Sequence, residues 1–173
     1  MYFDMPGINP DEDQYLIVLR EPMARLKSMF AYVSQRPTHK LHPLASPERA
    51  HELVGQPQFV NMATRLIAGQ DREGNQPLDA TALRKAKDHL QQDNVTLGVL
   101  ENWEDYLHLL QNQFEMALKI DGNANSSARL EPELEHAWIG ISAALAEAND
   151  YDRELYEFAK HCTTREAVSS VST

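Results

Sequence analysis

Arg20, Arg25 and Ser28 are the residues whose types and spacing suit a definite chemistry, the binding of an anion. A guanidinium offers a rigid fork of N–H donors that matches phosphate. A serine eight residues after Arg20 adds a hydroxyl from the same side, provided that a helix separates the two. The stretch that must position them is Tyr15 to Val33, YLIVLREPMARLKSMFAYV. Tyr15 to Leu19 is a continuous apolar run rich in β-branched residues, which predicts a strand buried on both faces. Pro22 suits the first position of a helix, where its missing N–H costs nothing. Leu26, Met29, Phe30 and Val33 then recur at helical spacing as one apolar stripe. A strand feeding directly into a helix sets the helix N-terminus at the carboxyl end of a sheet, where open α/β folds bind ligands. Free N–H groups and the helix dipole there favour an anion. Arg25 assists Arg20, supports the helix, or pairs with Glu21.

Other residues carry weaker signals, each with a plain structural alternative. His39 and His42 have metal-ligand spacing, but no matching Cys, His or carboxylate cluster follows, so no metal is assigned and a solvated or substrate-facing basic loop is expected. Glu101 follows a second apolar run and suits either a general base or a partner for an arginine; the plainer reading is a cap on the next helix. Arg65 follows Thr64 on a helical stripe and, on the residues alone, reads as a surface arginine. The lone Cys162 has no internal disulfide partner and reads as a structural thiol.

The composition is that of a globular protein, 42% hydrophobic and 24% charged over 173 residues, enough for one domain with a real core. A formal net charge of −10 argues against sequence-independent nucleic-acid binding, which relies on Lys and Arg. It also sits poorly with a highly anionic acceptor. No run approaches the roughly 20 apolar residues of a membrane span, and Met1 to Asp13 has the acidic, polar character of a lead-in rather than a signal peptide.

Along the chain, residues 1–14 read as an extended lead-in. After the first strand and helix, Pro37 ends the helix, and Ser46-Pro47-Glu48 predicts a short helix stopping near Gly55. Phe59, Met62, Ala63, Leu66 and Ile67 mark another helix that ends before Gly69. Asp79 is expected to cap a helix through about Gln92, with Leu83, Ala86 and Leu90 facing inward. Val95 to Leu100 predicts a second strand, in which Gly98 permits close backbone approach. Trp103, Tyr106, Leu107, Leu110, Phe114 and Leu118 form an amphipathic helix. Residues 121–129, DGNANSSAR, read as a loop. Leu134–Ala148 and Asp150–His161 read as two further helices, and residues 163–173 as a frayed tail.

The stretch V-L-R-E-P-x-x-R-x-x-S-x-F, Val18 to Phe30, resembles the 3′-phosphate-binding segment of sulfotransferases, closest to the carbohydrate type that includes the heparan sulfate 2-O- and 6-O- and chondroitin/dermatan enzymes. Glu21 stands where Asp is commoner. Three further segments follow in the family's order. Asn61 to Gly69 is similar to N-x-x-T-R-x-L-A-G, Leu97 to Leu107 to G-x-x-E-x-F/W-x-x-S/Y-L, and Tyr151 to Ala159 to D-x-x-L-Y-x-x-A. The resemblance spans about Tyr15 to Ala159. It implies that Arg20 and Ser28 hold the 3′-phosphate of the sulfonate donor 3′-phosphoadenosine 5′-phosphosulfate (PAPS), with Arg25 and Arg65 as lesser candidates. It also brings Ser126 or Ser127 near that cofactor, and it implies a carbohydrate acceptor. The implied fold is helix-dominated α/β, a partial P-loop-type sulfotransferase domain over residues 1–173 with one or two parallel strands and about seven helices.

The family's P-K-x-G-[ST]-[ST] loop, which holds the 5′-phosphosulfate, has no counterpart in these residues, and no catalytic base is assigned. Two functional readings follow: a sulfotransferase-like protein, or a truncated or non-catalytic relic that binds a nucleotide or a partner. A truncated sheet implies an exposed strand edge, and with it an oligomer or a separate N-terminal segment. The compartment stays open: without signal or anchor the chain reads as cytoplasmic as it stands, whereas animal members of the family are anchored in the Golgi.

Overall fold

A computed structural model describes residues 13–71, 74, 76, 78–115 and 130–170, with side chains through Thr163. The expected Ser126–Ser127 contact, the lead-in before Asp13, Leu118 and residues 171–173 lie outside them. Among the described residues are two strands, six α-helices and four short 3-10 turns, which gives the helix-dominated α/β fold expected from the sequence.

Strand β1, Tyr15–Leu19, runs parallel to β2, Val95–Val99, with Tyr15 opposite Val95 and Leu19 opposite Val99. Side chains alternate between the faces of a strand. Tyr15, Ile17 and Leu19 therefore share a face with Leu97 and Val99. Helices α2 (Met62–Ile67), α3 (Ala80–Leu90) and α6 (Asp150–Ser170) close that face through Ile67, Leu83, Leu90, Leu155 and Ala159. The other face is only half covered. Helix α4, Trp103–Phe114, lays Tyr106 over Gly98 of β2, and the Tyr106 hydroxyl donates to the Thr96 carbonyl at 3.3 Å. A Cβ at position 98 would overlap the Tyr106 ring, so the close approach expected of Gly98 is a ring against a bare backbone. Among the described residues nothing comparable covers β1: Leu16 is 52% and Val18 38% exposed. The expectation of a strand buried on both faces is corrected here. An apolar run shows that a strand can be buried, not that a neighbour is present to bury it.

Helix α1, Pro22–Ser34, starts at the expected proline and buries Leu26, Phe30 and Val33. These meet α5, Pro132–Ala148, in a second core around Trp138, Ile141 and Leu145, with the Phe30 and Trp138 rings 5.9 Å apart. The helix expected from Ser46 is instead a turn followed by a 3-10 segment, Ala50–Gly55, which buries Ala50 and Leu53 in that core. Asp79 caps α3 as expected, its side chain accepting from the Ala82 N–H at 2.9 Å. The tail expected to fray from Thr163 continues α6 to Ser170.

Candidate functional site

Both strands end at the same edge of the sheet, so Arg20-Glu21 and Leu100-Glu101 emerge side by side. The Glu21 N–H donates to Glu101 Oε1 at 3.0 Å, across 80 residues of chain. Glu101 sits in the 3-10 turn Leu100–Asn102 and makes no cap on α4. The plainer reading of this residue is therefore replaced by a bridge between the two strand ends. Its second partner is the hydroxyl of Tyr156 on α6. Burial alone pushes the Glu101 carboxyl up. The donors on it (the Glu21 N–H, its own backbone N–H and the Tyr156 hydroxyl), together with the positive charge of Arg20, outweigh burial and hold it below the ordinary carboxylate value. Tyr156 is pushed up to about 12, first by burial and then by the adjacent Glu101 charge.

Arg20 lies between the end of β1 and the start of α1. It makes no hydrogen bond or ion pair with another described residue, and Glu101 is an electrostatic neighbour. The N-terminus of α1 is not open in the same way. Glu21 is its N-cap and accepts from the N–H groups of Met23 at 2.9 Å and Ala24 at 2.6 Å. Pro22 has no N–H, so the donors expected to meet an external anion are occupied by the chain's own carboxylate. The cationic character of this end of the sheet rests on Arg20.

Arg25 pairs elsewhere than expected. Its Nη2 donates to Asp152 Oδ2 at 3.1 Å rather than pairing with Glu21. Asp152 is 2% exposed and fully committed. It also accepts from the N–H groups of Ala63 and Thr64, at 3.2 and 2.7 Å, and from the Thr64 hydroxyl at 2.8 Å. Asp152 thus serves as the cap of α2, whose own N-cap residue, Asn61, is left-handed at φ 46° and makes no side-chain cap. Asn61 instead donates from its side chain to the Ala148 carbonyl and accepts from the Asp152 N–H. Its backbone N–H donates to Asn149 Oδ1 at 2.7 Å. Asn149, 1% exposed, donates in turn to the Phe59 and Leu145 carbonyls. Two of the short motifs, N-x-x-T-R and D-x-x-L-Y, are therefore halves of one buried polar joint.

Arg65 is 7% exposed, and its Nη1 donates to Gln70 Oε1 at 3.1 Å and to the Gln76 carbonyl at 2.8 Å. It braces the loop after α2 and is buried rather than a surface arginine. Ser28 is half-buried on the side of α1 that carries Arg25, three residues away. His39 Nδ1 accepts from the Leu41 N–H within its loop, and His42 Nδ1 contacts the Val33 carbonyl, which ties the loop to α1.

A cavity of about 400 Å³ runs along β1, walled by all five residues of the strand and by Met62, Ala63, Leu66 and Ile67, with Arg20 and Arg25 at one end. It brings the two arginines together and leaves Ser28 and Arg65 out of its lining. Sequence reasoning missed Asp152, Tyr156 and the Glu21–Glu101 bridge as parts of this region. The signal available was the presence of Asn61, Thr64 and Asp152 in two of the four motif segments, Asn61–Gly69 and Tyr151–Ala159. No family profile, curated protein or solved structure matches the chain.

Proposed function

We propose that the carboxyl end of the β1–β2 sheet is a nucleotide half-site, and that the chain is sulfotransferase-like, using Arg20 to hold the 3′-phosphate of PAPS. The observation that carries this reading is Arg20 itself, a guanidinium at a parallel-strand terminus with no hydrogen bond or ion pair to another described residue. The motif spacing shared with the carbohydrate sulfotransferases supports it, with Ser28 as the second donor. In the reaction, a hydroxyl oxygen of the acceptor, of carbohydrate class by the same resemblance, attacks the sulfur. The bond from sulfur to the 5′-phosphate oxygen breaks, and adenosine 3′,5′-bisphosphate leaves. Glu101, held below its ordinary pKa, is a weak proton acceptor. Its role is to fix the peptide that follows Arg20. Arg25 acts through Asp152 and positions α1 rather than touching the ligand.

The second reading is a chain that binds the nucleotide but transfers nothing. Two observations favour it: Glu21 fills the N-terminus of α1, and a second carboxylate, Glu101, stands beside Arg20. Calorimetric titration with adenosine 3′,5′-bisphosphate tests the half-site. Arg20→Ala is expected to weaken binding by about 1.5–3 kcal/mol, the scale of a charged hydrogen bond. A folded chain that binds no bisphosphate, or an Arg20→Ala variant that binds equally well, overturns the proposal. Transfer of labelled sulfonate from PAPS to a saccharide panel separates the two readings.

A further inference from the structure

The edge of β1 turned away from β2 is open: among the described residues β2 is the one strand that pairs with it. The Tyr15 N–H donates across that pair to the Asn94 carbonyl at 2.8 Å. Backbone groups alternate in direction along a strand. Tyr15, Ile17 and Leu19 are therefore bonded towards β2, and Leu16 and Val18 aim their N–H and C=O groups away from it. Proteins usually blunt such an edge with lysine, proline or a bulge. Tyr15–Leu19 has no lysine or proline, and its register with β2 is unbroken. The side chains of Leu16 and Val18 stand exposed on the half-covered face of the sheet. Gln14, exposed, and Arg20, half-buried, continue the same alternation at the two ends of the strand.

We infer that this edge pairs with the same edge of a second copy of the chain, antiparallel and centred on Ile17, so that the two sheets join into one. In that register Leu16 of each copy stands opposite Val18 of the other. The two residues exchange both main-chain hydrogen bonds, once on each side of the twofold axis. The series Gln14, Leu16, Val18, Arg20 reads polar, apolar, apolar, polar from either end, which is the self-complementarity an isologous interface needs. Each Arg20 makes no hydrogen bond or ion pair with another described residue of its own chain. It comes opposite Gln14 of the second copy, whose amide oxygen accepts from the guanidinium. The groove of about 400 Å³ between β1 and α2 leaves room for the incoming strand. The net charge of −10 on each copy opposes association at long range. That repulsion is screened beyond about 8 Å at physiological ionic strength, and the residues that face each other from Gln14 to Arg20 include no like-charged pair. The pairing does not rest on the nucleotide reading; because both claim the Arg20 guanidinium, it is tested without ligand, and either proposal can fail alone.

Sedimentation velocity at physiological ionic strength is expected to show a concentration-dependent equilibrium between monomer and dimer. Amide exchange at Leu16 and Val18 should slow as the concentration rises. The Leu16→Lys/Val18→Lys chain sets lysine against lysine and should weaken the dimer by roughly tenfold or more. Far-UV circular dichroism checks its fold, and if it misfolds the cross-linking decides. Cross-linking in a Cys162→Ser background reads the register. Hydrogen-bonded residues opposite each other in an antiparallel pair have Cα atoms about 5.5 Å apart, within disulfide range. A mixture of Leu16→Cys and Val18→Cys chains should therefore form a disulfide between them under mild oxidation, and neither chain should do so alone. A chain that stays monomeric at every concentration reached overturns the inference. So does a dimer without protection of Leu16 and Val18, or one in which the mixed disulfide does not form.

Discussion

Asp152 and Arg20 are opposite cases of a charged side chain. Asp152 accepts four hydrogen bonds in a site closed to water, and its removal strands the Ala63 and Thr64 donors and one face of Arg25. Breaking a buried charge arrangement in this way is expected to destabilise the fold by about 3–5 kcal/mol, so Asp152→Ala should lower the urea midpoint far more than Arg20→Ala does. Tyr156 offers a spectroscopic handle. Its pKa is raised to about 12 from the ordinary value near 10. The folded state therefore holds this proton more tightly. The associated stability is fully present below about pH 10 and is lost as pH rises through about 12. Ultraviolet titration should show a late tyrosinate step near pH 12 that Tyr156→Phe removes. Glu101 runs the other way. Its lowered pKa contributes stability above the ordinary carboxylate value, and that stability fades as acid takes the pH down through the folded value.

At the scale of elements, what was legible in the sequence was whatever a local signal encodes. Pro22 marks the start of α1, Asp79 caps α3, and the β-branched runs mark β1 and β2. Partners were not legible. Glu101 resembles a helix cap because caps lie near in sequence, whereas its N–H donor is 80 residues away. Arg25 has a nearby candidate in Glu21 and a real partner 127 residues on. The half-open face of β1 was hidden for the same reason, since covering is a property of neighbours. One local signal did carry tertiary information: Gly98 admits the Tyr106 ring. Gly98→Ala should push that ring out of place and cost about 1–3 kcal/mol, measurable by chemical denaturation. It should also weaken the contact between the Tyr106 hydroxyl and the Thr96 carbonyl.

For the whole molecule, the two apolar cores divide the labour. One holds the sheet against α2, α3 and α6, and the other holds α1 against α5. Ile67 and Ile141 belong to different cores and are equally buried. Ile67→Val and Ile141→Val should each cost about 0.5–1.5 kcal/mol, and the double variant should equal their sum within about 0.5 kcal/mol. What joins the cores is the polar joint of Asn61, Thr64, Asn149 and Asp152, reached by Arg25 from α1. Its members lie 88 to 91 residues apart in the sequence, and that has a consequence for synthesis. Until Asp152 has been synthesised, α2 lacks its cap and Arg25 its counter-charge. The joint that ties the two cores therefore closes late, across about 90 residues of chain, and its closure is a long-range step of folding.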